Sequence, residues 1–327
     1  MFHVPITAGG SDTVKGAVVR GENGRMSSAS RSIGIIGVGR MGRPIAERLA
    51  GAGFDVAVYD ADADRRRAAA DRGLTVVRGA AALAARSDVL VTVLPGAPEF
   101  ADVMATGGDV ATSLRPGSVW LDLTSNDPRV ATAVLAAGRT GGVEGVGAPI
   151  GGGPADARAG TLSFFVGGAP AAVGRVMPVL DAIGRDGGIR LVGGDIAHGY
   201  LLKLLVNALW FGQVAATAEA YLVAESLGLS RRDFAAGLAG TAAQSAFTDV
   251  YLPRLIDGDV VADFGLSGCR DELAVVQGIA RHAGIPTAVL DAVTRLHADA
   301  LARFGAIDGE MLVARHIELA AGGQPPV

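Results

Sequence analysis

The chain has 327 residues, half of them apolar, with 48 glycines and a formal net charge of −4. That length is enough for two domains and a large core, and the composition excludes a disordered chain. No segment carries a basic stripe, which argues against nucleic acid as a partner.

Cys269 is the only cysteine, so intrachain disulfides and cysteine metal clusters are ruled out and a cytoplasmic location is expected. The five histidines are dispersed without metal-ligand spacing, and no metal site is expected.

Residues 1–31 lack periodicity and are rich in Gly and Ser. They read as a flexible extension without a signal peptide's apolar core, and Met26 is a candidate start. "SIGIIG" (32–37) is a short buried strand, "MGRPIAERLAGAG" a helix, and "DVAVYD" a second strand, with helix, strand and helix after it. "SDVLVTVLP", "GSVWLDLT" and "GVEGVGAPI" are further strands, extended by "TLSFFVGG" and "GIRLVGG". Strands alternating with helices predict an α/β fold, a Rossmann-type doubly wound parallel sheet over 32–194. From 195 to 320 helical periodicity dominates, and a second, all-helical domain is expected. It opens with a long helix over roughly 196–227. The most apolar stretch, 199–224, is interrupted by Lys203, Asn207, Gln213 and Glu219, so no membrane span is expected. The tail "GGQPPV" should fray.

Between the first strand and helix, Gly37, Gly39 and Gly42 form G-x-G-x-x-G, with Val38, Arg40 and Met41 completing the loop. Gly37 permits the tight turn, Gly39 the close approach of a pyrophosphate, and Gly42 the packing of helix on strand. The helix N-terminus offers amides and a positive dipole end to phosphates. Asp60 ends strand two, 23 residues after Gly37. It should accept hydrogen bonds from an adenosine ribose and repel a 2′-phosphate, so NAD is expected over NADP. Arg65 to Arg67 count against that preference if they reach a 2′-phosphate. Otherwise they are the solvated face of a helix capped by Asp62 or Asp64.

Gly151, Gly152 and Gly153 follow a strand and precede "PADARAG". They form either a flexible loop or a nest of free amides for a carboxylate or oxyanion. Lys203 lies among leucines, with Asn207 four residues on and therefore on the same helix face. A lysine there either snorkels to water or is a desolvated acid/base.

Five stretches together resemble the β-hydroxyacid dehydrogenases, the group of 3-hydroxyisobutyrate dehydrogenase and tartronate semialdehyde reductase: "GVGRMGRPIAERLAGAG", "VTVLP", "LDLTSNDP", "GAPIGGGPADARAGTL" and "GYLLKLLVN". The resemblance covers about 32–318. It implies an oxidoreductase that moves a hydride between a nicotinamide and the carbinol carbon of a small β-hydroxy acid or related compound. Lys203 would be the general acid/base and Asn207 would orient the substrate. Gly151 and Gly152 would offer it backbone amides, and Leu94, Pro95 and Ser125 would line the nicotinamide side. It also implies a homodimer or homotetramer built through the helical domain.

The chain departs from the family twice. Gly151 stands where the family has a serine. A lysine expected beside the nicotinamide falls on Asp271 in an ungapped alignment, which makes Asp271 a candidate substrate contact and puts Glu272 at the family aspartate. A one-residue shift puts Arg270 there instead. Asp271 would favour a hydroxy amino acid or amino alcohol over a simple carboxylate. The alternatives are an imine reductase on the same scaffold, which generally has another residue in place of Lys203, and a non-catalytic dinucleotide-binding protein, which would not need the Lys203–Asn207 pair.

Overall fold

In the computed structural model, which describes residues 31–106, 110–138 and 142–322, the chain builds one sheet and then a set of helices. The expected extension over residues 1–31, all but its last residue, and the tail at 322–327, all but its first, lie outside the described residues. The strands are β1 Ser32–Ile36, β2 Asp55–Tyr59, β3 Thr75–Val76, β4 Val89–Thr92, β5 Val119–Asp122, β6 Glu144–Gly147, β7 Ile150–Gly151, β8 Leu162–Gly168 and β9 Gly184–Gly193. Their order is β3-β2-β1-β4-β5-β6-β8-β7, with β9 also paired to β8. The pairs from β3 to β6 are all parallel. This is the doubly wound order whose reversal between β1 and β4 opens a ligand crevice.

The sheet departs from an all-parallel reading at its far edge. There β8 runs antiparallel to both β6 and β7. Only residues 152–161, with the short helix Pro154–Ala159, separate β7 from β8, too short for the crossover that a parallel pair needs.

Period-two alternation divides the core. Ile33, Ile35, Val89, Val91, Val119 and Leu121 face one layer, while Ile36, Leu90 and Trp120 face the other. Burial on both faces is why these strands read as nearly unbroken apolar runs. The helices around the sheet are α1 Gly42–Gly51, α2 Ala63–Ala70, α3 Ala80–Ala84, α4 Ala97–Ala101, α5 Val110–Ser113, α6 Pro128–Gly138, α7 Pro154–Ala159 and α8 Pro170–Ile183.

Helix α9, Ile196–Ser226, joins the two halves. Asp195 caps it, accepting from the Ala197 amide at 2.8 Å. Its first turns belong to the sheet's second layer through Ile196 and Tyr200, while Val214, Ala218 and Tyr221 belong to the helical core. Packing therefore changes hands inside α9, not at its start. Length and composition alone would let α9 cross a membrane, with a mean hydropathy of 1.4 over its most apolar 18 residues. In the fold it packs along one side against α10 Arg231–Gly237, α12 Leu266–His282, α13 Ala288–Phe304 and α14 Leu312–Ala320, with α11 Leu252–Ile256 in the same core, and less than a third of that apolar stretch is buried. Buried Glu318 on α14 accepts from Tyr221, Arg231 and Arg315, which ties α9 and α10 to α14.

Candidate active site

The glycine loop after β1 is shaped by three different demands. Gly37 has a φ of +93°, and a Cβ there would meet the Val93 carbonyl at 2.2 Å. A Cβ on Gly42 would lie 1.9 Å from the Gly37 carbonyl, so only glycine lets α1 press onto β1. At Gly39 the nearest atom to an added Cβ is the Arg65 guanidinium, at 3.6 Å. The protein packs nothing tightly there, and the bare backbone leaves room for a phosphate. Met41 packs on the core, and Arg40 reaches across to the helical half, where it pairs with Asp308 at 2.7 Å.

Asp60 is 5% exposed. Its carboxylate accepts from the Val38 amide at 2.8 Å and the Asp62 amide at 2.9 Å, so it braces the loop as well as ending β2. Asp62 caps α2 through the Asp64 and Arg65 amides. Of the three arginines, Arg65 lies 3.9 Å from the Asp60 carboxylate, Arg66 donates to the carbonyls of Asp60 and Ala61, and Arg67 pairs with Asp64.

Leu94, Pro95 and Ser125 follow β4 and β5 on the same side of the sheet as the glycine loop. The Leu94 amide donates to Thr124 Oγ1 at 3.1 Å, which joins the two strand ends. A Cβ on Gly37 would touch Leu94 Cδ2 at 3.2 Å, so Leu94 borders the glycine loop.

The Gly151–Gly153 loop is not the run of free amides that its composition suggests. The Gly153 amide donates to Asp156 Oδ2 at 2.9 Å, and Asp263 from the helical half lies against Gly153, 2.9 Å from where its Cβ would be. A short side chain three residues into the helix has taken the amide that an anion would have used. Gly151 pairs with Ser163 on β8, and a Cβ there would meet the Ser163 hydroxyl at 2.6 Å.

Lys203 is partly buried on α9. The helix reaches the sheet closely because Gly199 carries no side chain: a Cβ there would lie 2.5 Å from the Phe165 carbonyl. Lys203 Nζ donates to Asn207 Oδ1 at 2.9 Å, and Asn207 Nδ2 donates to Glu272 Oε2 at 2.6 Å. Trp210, one further turn along this face, donates from Nε1 to Glu310 Oε2 at 3.2 Å. Burial pushes the Glu310 carboxyl up to about 7; Lys203 and the Trp210 hydrogen bond oppose the rise, while Glu272 and Asp263 add to it. Burial, with Glu310 and Glu272 nearby, also drives the Cys269 thiol well up.

The carboxylate that meets Asn207 is Glu272, 6% exposed, while Asp271 and Arg270 pair with each other at 2.6 Å with Asp271 63% exposed. The sequence reading passed over Glu310, Asp263, Tyr200 and Asp122 as site residues and placed Glu272 there only by alignment. Glu272 had a signal, since it shares a face of α12 with buried Cys269 and Val276. Glu310 had none, because it sits in a turn without periodicity.

Two family models together span nearly all the described chain. Residues 32–195 match the NAD binding domain of 6-phosphogluconate dehydrogenase, and residues 197–317 match the NAD-binding domain of NADP-dependent 3-hydroxyisobutyrate dehydrogenase. The 2-(hydroxymethyl)glutarate dehydrogenase of Eubacterium barkeri is 28% identical over 82% of this chain and 88% of its own length. The solved structure of Mycobacterium tuberculosis 3-hydroxyisobutyrate dehydrogenase with L-serine is 26% identical, with a TM-score of 0.81 over 88% of this chain and 99% of that one. An imine reductase from Myxococcus stipitatus, at 21% identity and a TM-score of 0.60 over 88% and 99%, shares the fold.

Proposed function

Because the chain belongs to the β-hydroxyacid dehydrogenase family of nicotinamide-dependent oxidoreductases acting on CH–OH donors, we propose that Lys203 is its general acid/base, acting on a small hydroxy substrate between the Gly151–Gly153 loop and α9. The observation that carries this reading is the Lys203–Asn207–Glu272 chain of hydrogen bonds. Asn207 takes one ammonium hydrogen, which leaves the others for a substrate oxygen. In the oxidation direction Lys203 removes the hydroxyl proton; in reduction its ammonium protonates the nascent alkoxide. When bound, the nicotinamide supplies the hydride acceptor or donor. Its phosphates would lie over Gly39 and the N-terminus of α1, with Leu94, Pro95 and Ser125 on the nicotinamide side.

NAD is the proposed cofactor, supported by the buried Asp60 carboxylate at the end of β2. Arg65 beside the carboxylate, and Arg66 on the Asp60 carbonyl, are placed to soften that preference.

The charge around Lys203 supports a substrate bearing an amino group. Asp263 and Glu272 gather on the helical side beside Glu310, whose carboxyl, raised to about 7, adds only part of a charge near neutral pH, and Asp156 holds a loop amide. A simple carboxylate would meet like charge in a poorly solvated cleft. Asp271 is not needed for this argument, because Arg270 offsets it. The presence of L-serine with the mycobacterial relative points the same way.

Oligomerisation through α9 is proposed as well. Leu209 is 69% exposed and Val223 64% exposed, and Leu205 and Val206 on the same helix are exposed too.

The test is a screen of hydroxy acids, hydroxy amino acids and amino alcohols with NAD and with NADP. The expected result is NAD-linked oxidation, fastest on an amino-bearing alcohol and lost in Lys203→Ala. Equal turnover in wild type and Lys203→Ala would overturn it.

A further inference from the structure

Asp122, the last residue of β5, is fully buried and, among the described residues, has no cation as a hydrogen-bond partner. Four neutral donors hold it instead. Oδ1 accepts from Thr92 Oγ1 at 2.7 Å and from the Thr124 amide at 3.0 Å. Oδ2 accepts from Asn126 Nδ2 at 3.0 Å and from the Tyr200 hydroxyl at 2.9 Å. A buried carboxylate is costly unless its lone pairs are filled, so the arrangement is demanding: each donor must stay where it is.

Each donor brings a different part of the site with it. Thr92 ends β4, two residues before Leu94, and is fixed in turn by Trp120 Nε1 at 2.9 Å. Thr124 receives the Leu94 amide and precedes Ser125. The Asp122 carbonyl accepts from Ala148 at 2.8 Å, three residues before Gly151. Tyr200 is fully buried on α9, three residues before Lys203, which places the two about 4.5 Å apart along the helix axis. One residue therefore ties the nicotinamide-side strand ends, the root of the substrate loop and the lysine helix to a single point.

We propose that Asp122 and Tyr200 are a positioning pair: without touching substrate or cofactor, their hydrogen bond fixes the Lys203 ammonium relative to the loops after β4 and β5. This rests on the proposed role of Lys203. The glycines at 147, 167 and 199 bring α9 against the sheet, and Ile196 and the Tyr200 ring pack into its second layer, contacts that carry no fixed direction. The Tyr200 hydroxyl supplies the directional contact. Misplacing a reacting group by an ångström costs on the order of 100-fold in rate, so a small slip of α9 would be felt in turnover before it was felt in binding.

The experiment compares wild type, Tyr200→Phe, Asp122→Asn, the double variant and Lys203→Ala as full chains, on the best substrate of the screen. Removing one hydroxyl in Tyr200→Phe is expected to leave the NAD dissociation constant and KM within about 2-fold while kcat falls about 10- to 100-fold. Hydrogen–deuterium exchange over residues 199–207 of the cofactor-free protein should quicken. The double variant should have about the kcat of the slower single variant, because the two substitutions act on one hydrogen-bond network. Wild-type kcat in Tyr200→Phe, with only a lowered Tm, would overturn the pairing. So would loss of NAD binding or of folding in that variant, which would assign the contact to the fold alone. If Lys203→Ala keeps full activity, the role of Lys203 itself falls; if Lys203→Ala is inactive and Tyr200→Phe is unaffected, only the positioning pair falls.

Discussion

Asn207 donates to Glu272 across the helical half at 2.6 Å, and this bond orients its amide so that the oxygen faces Lys203. A neutral amide between a carboxylate and an ammonium can point only one way. Glu272→Gln gives Asn207 a partner that is both donor and acceptor, so the amide loses its fixed orientation. The expected outcome is a fall of about 10-fold in kcat with NAD affinity unchanged, measured by steady-state kinetics beside a cofactor titration. Unchanged kcat would remove Glu272 from the site.

Lys203→Ala should lose about 10²–10⁴-fold in kcat and retain cofactor binding. Lys203→Arg should not restore the rate, because a guanidinium stays protonated at every working pH and cannot take the hydroxyl proton. Substantial oxidation activity in Lys203→Arg would return Lys203 to an electrostatic role.

Asp60 has two tasks that separate by substitution. Asp60→Asn keeps an acceptor for the Val38 amide while removing the charge, at the cost of facing an NH2 toward the Asp62 amide, and is expected to narrow the NAD-over-NADP ratio with a smaller fall in Tm than Asp60→Ala. Asp60→Ala should narrow the ratio and also lower Tm, because the buried Val38 amide and the Asp62 amide lose their partner. A wild-type preference for NADP would contradict this assignment.

Glu310 makes stability depend on pH in a predictable direction. Its carboxyl is raised from the usual 4.5 to about 7, so between those values the folded chain holds a proton that the unfolded chain has released. Stability from this group is therefore present in full below 4.5 and declines as pH rises to about 7, above which it is flat. Thermal melts of wild type and Glu310→Gln across this range should converge at low pH and diverge towards neutrality, with the variant the more stable. Parallel curves would mean that Glu310 is not strained by burial.

The glycines of the phosphate loop should fail differently. Gly42→Ala forces a methyl to within 1.9 Å of backbone and should destabilise the fold by about 1–3 kcal/mol or more. Gly39→Ala has room for its methyl in the protein and should keep Tm while weakening NAD binding, measured by titration. Equal Tm losses in the two variants would refute the separate roles.

The order of strands and helices, the phosphate loop and the Lys203–Asn207 spacing were legible in the sequence, because each is a local pattern. A buried parallel strand is an apolar run, a pyrophosphate turn needs glycine at set intervals, and residues four apart share a helix face. What surrounds those residues was decided by tertiary structure. Nothing local said that Asp156 would take the Gly153 amide, or that Glu310, 107 residues after Lys203, would share its cleft. The same holds for the antiparallel run of β8 and for the bond between Asp122 and Tyr200, 78 residues apart. The charge of the site and the placement of its lysine come from contacts between distant segments. Such contacts leave no periodic trace, because one residue from each segment suffices to make them.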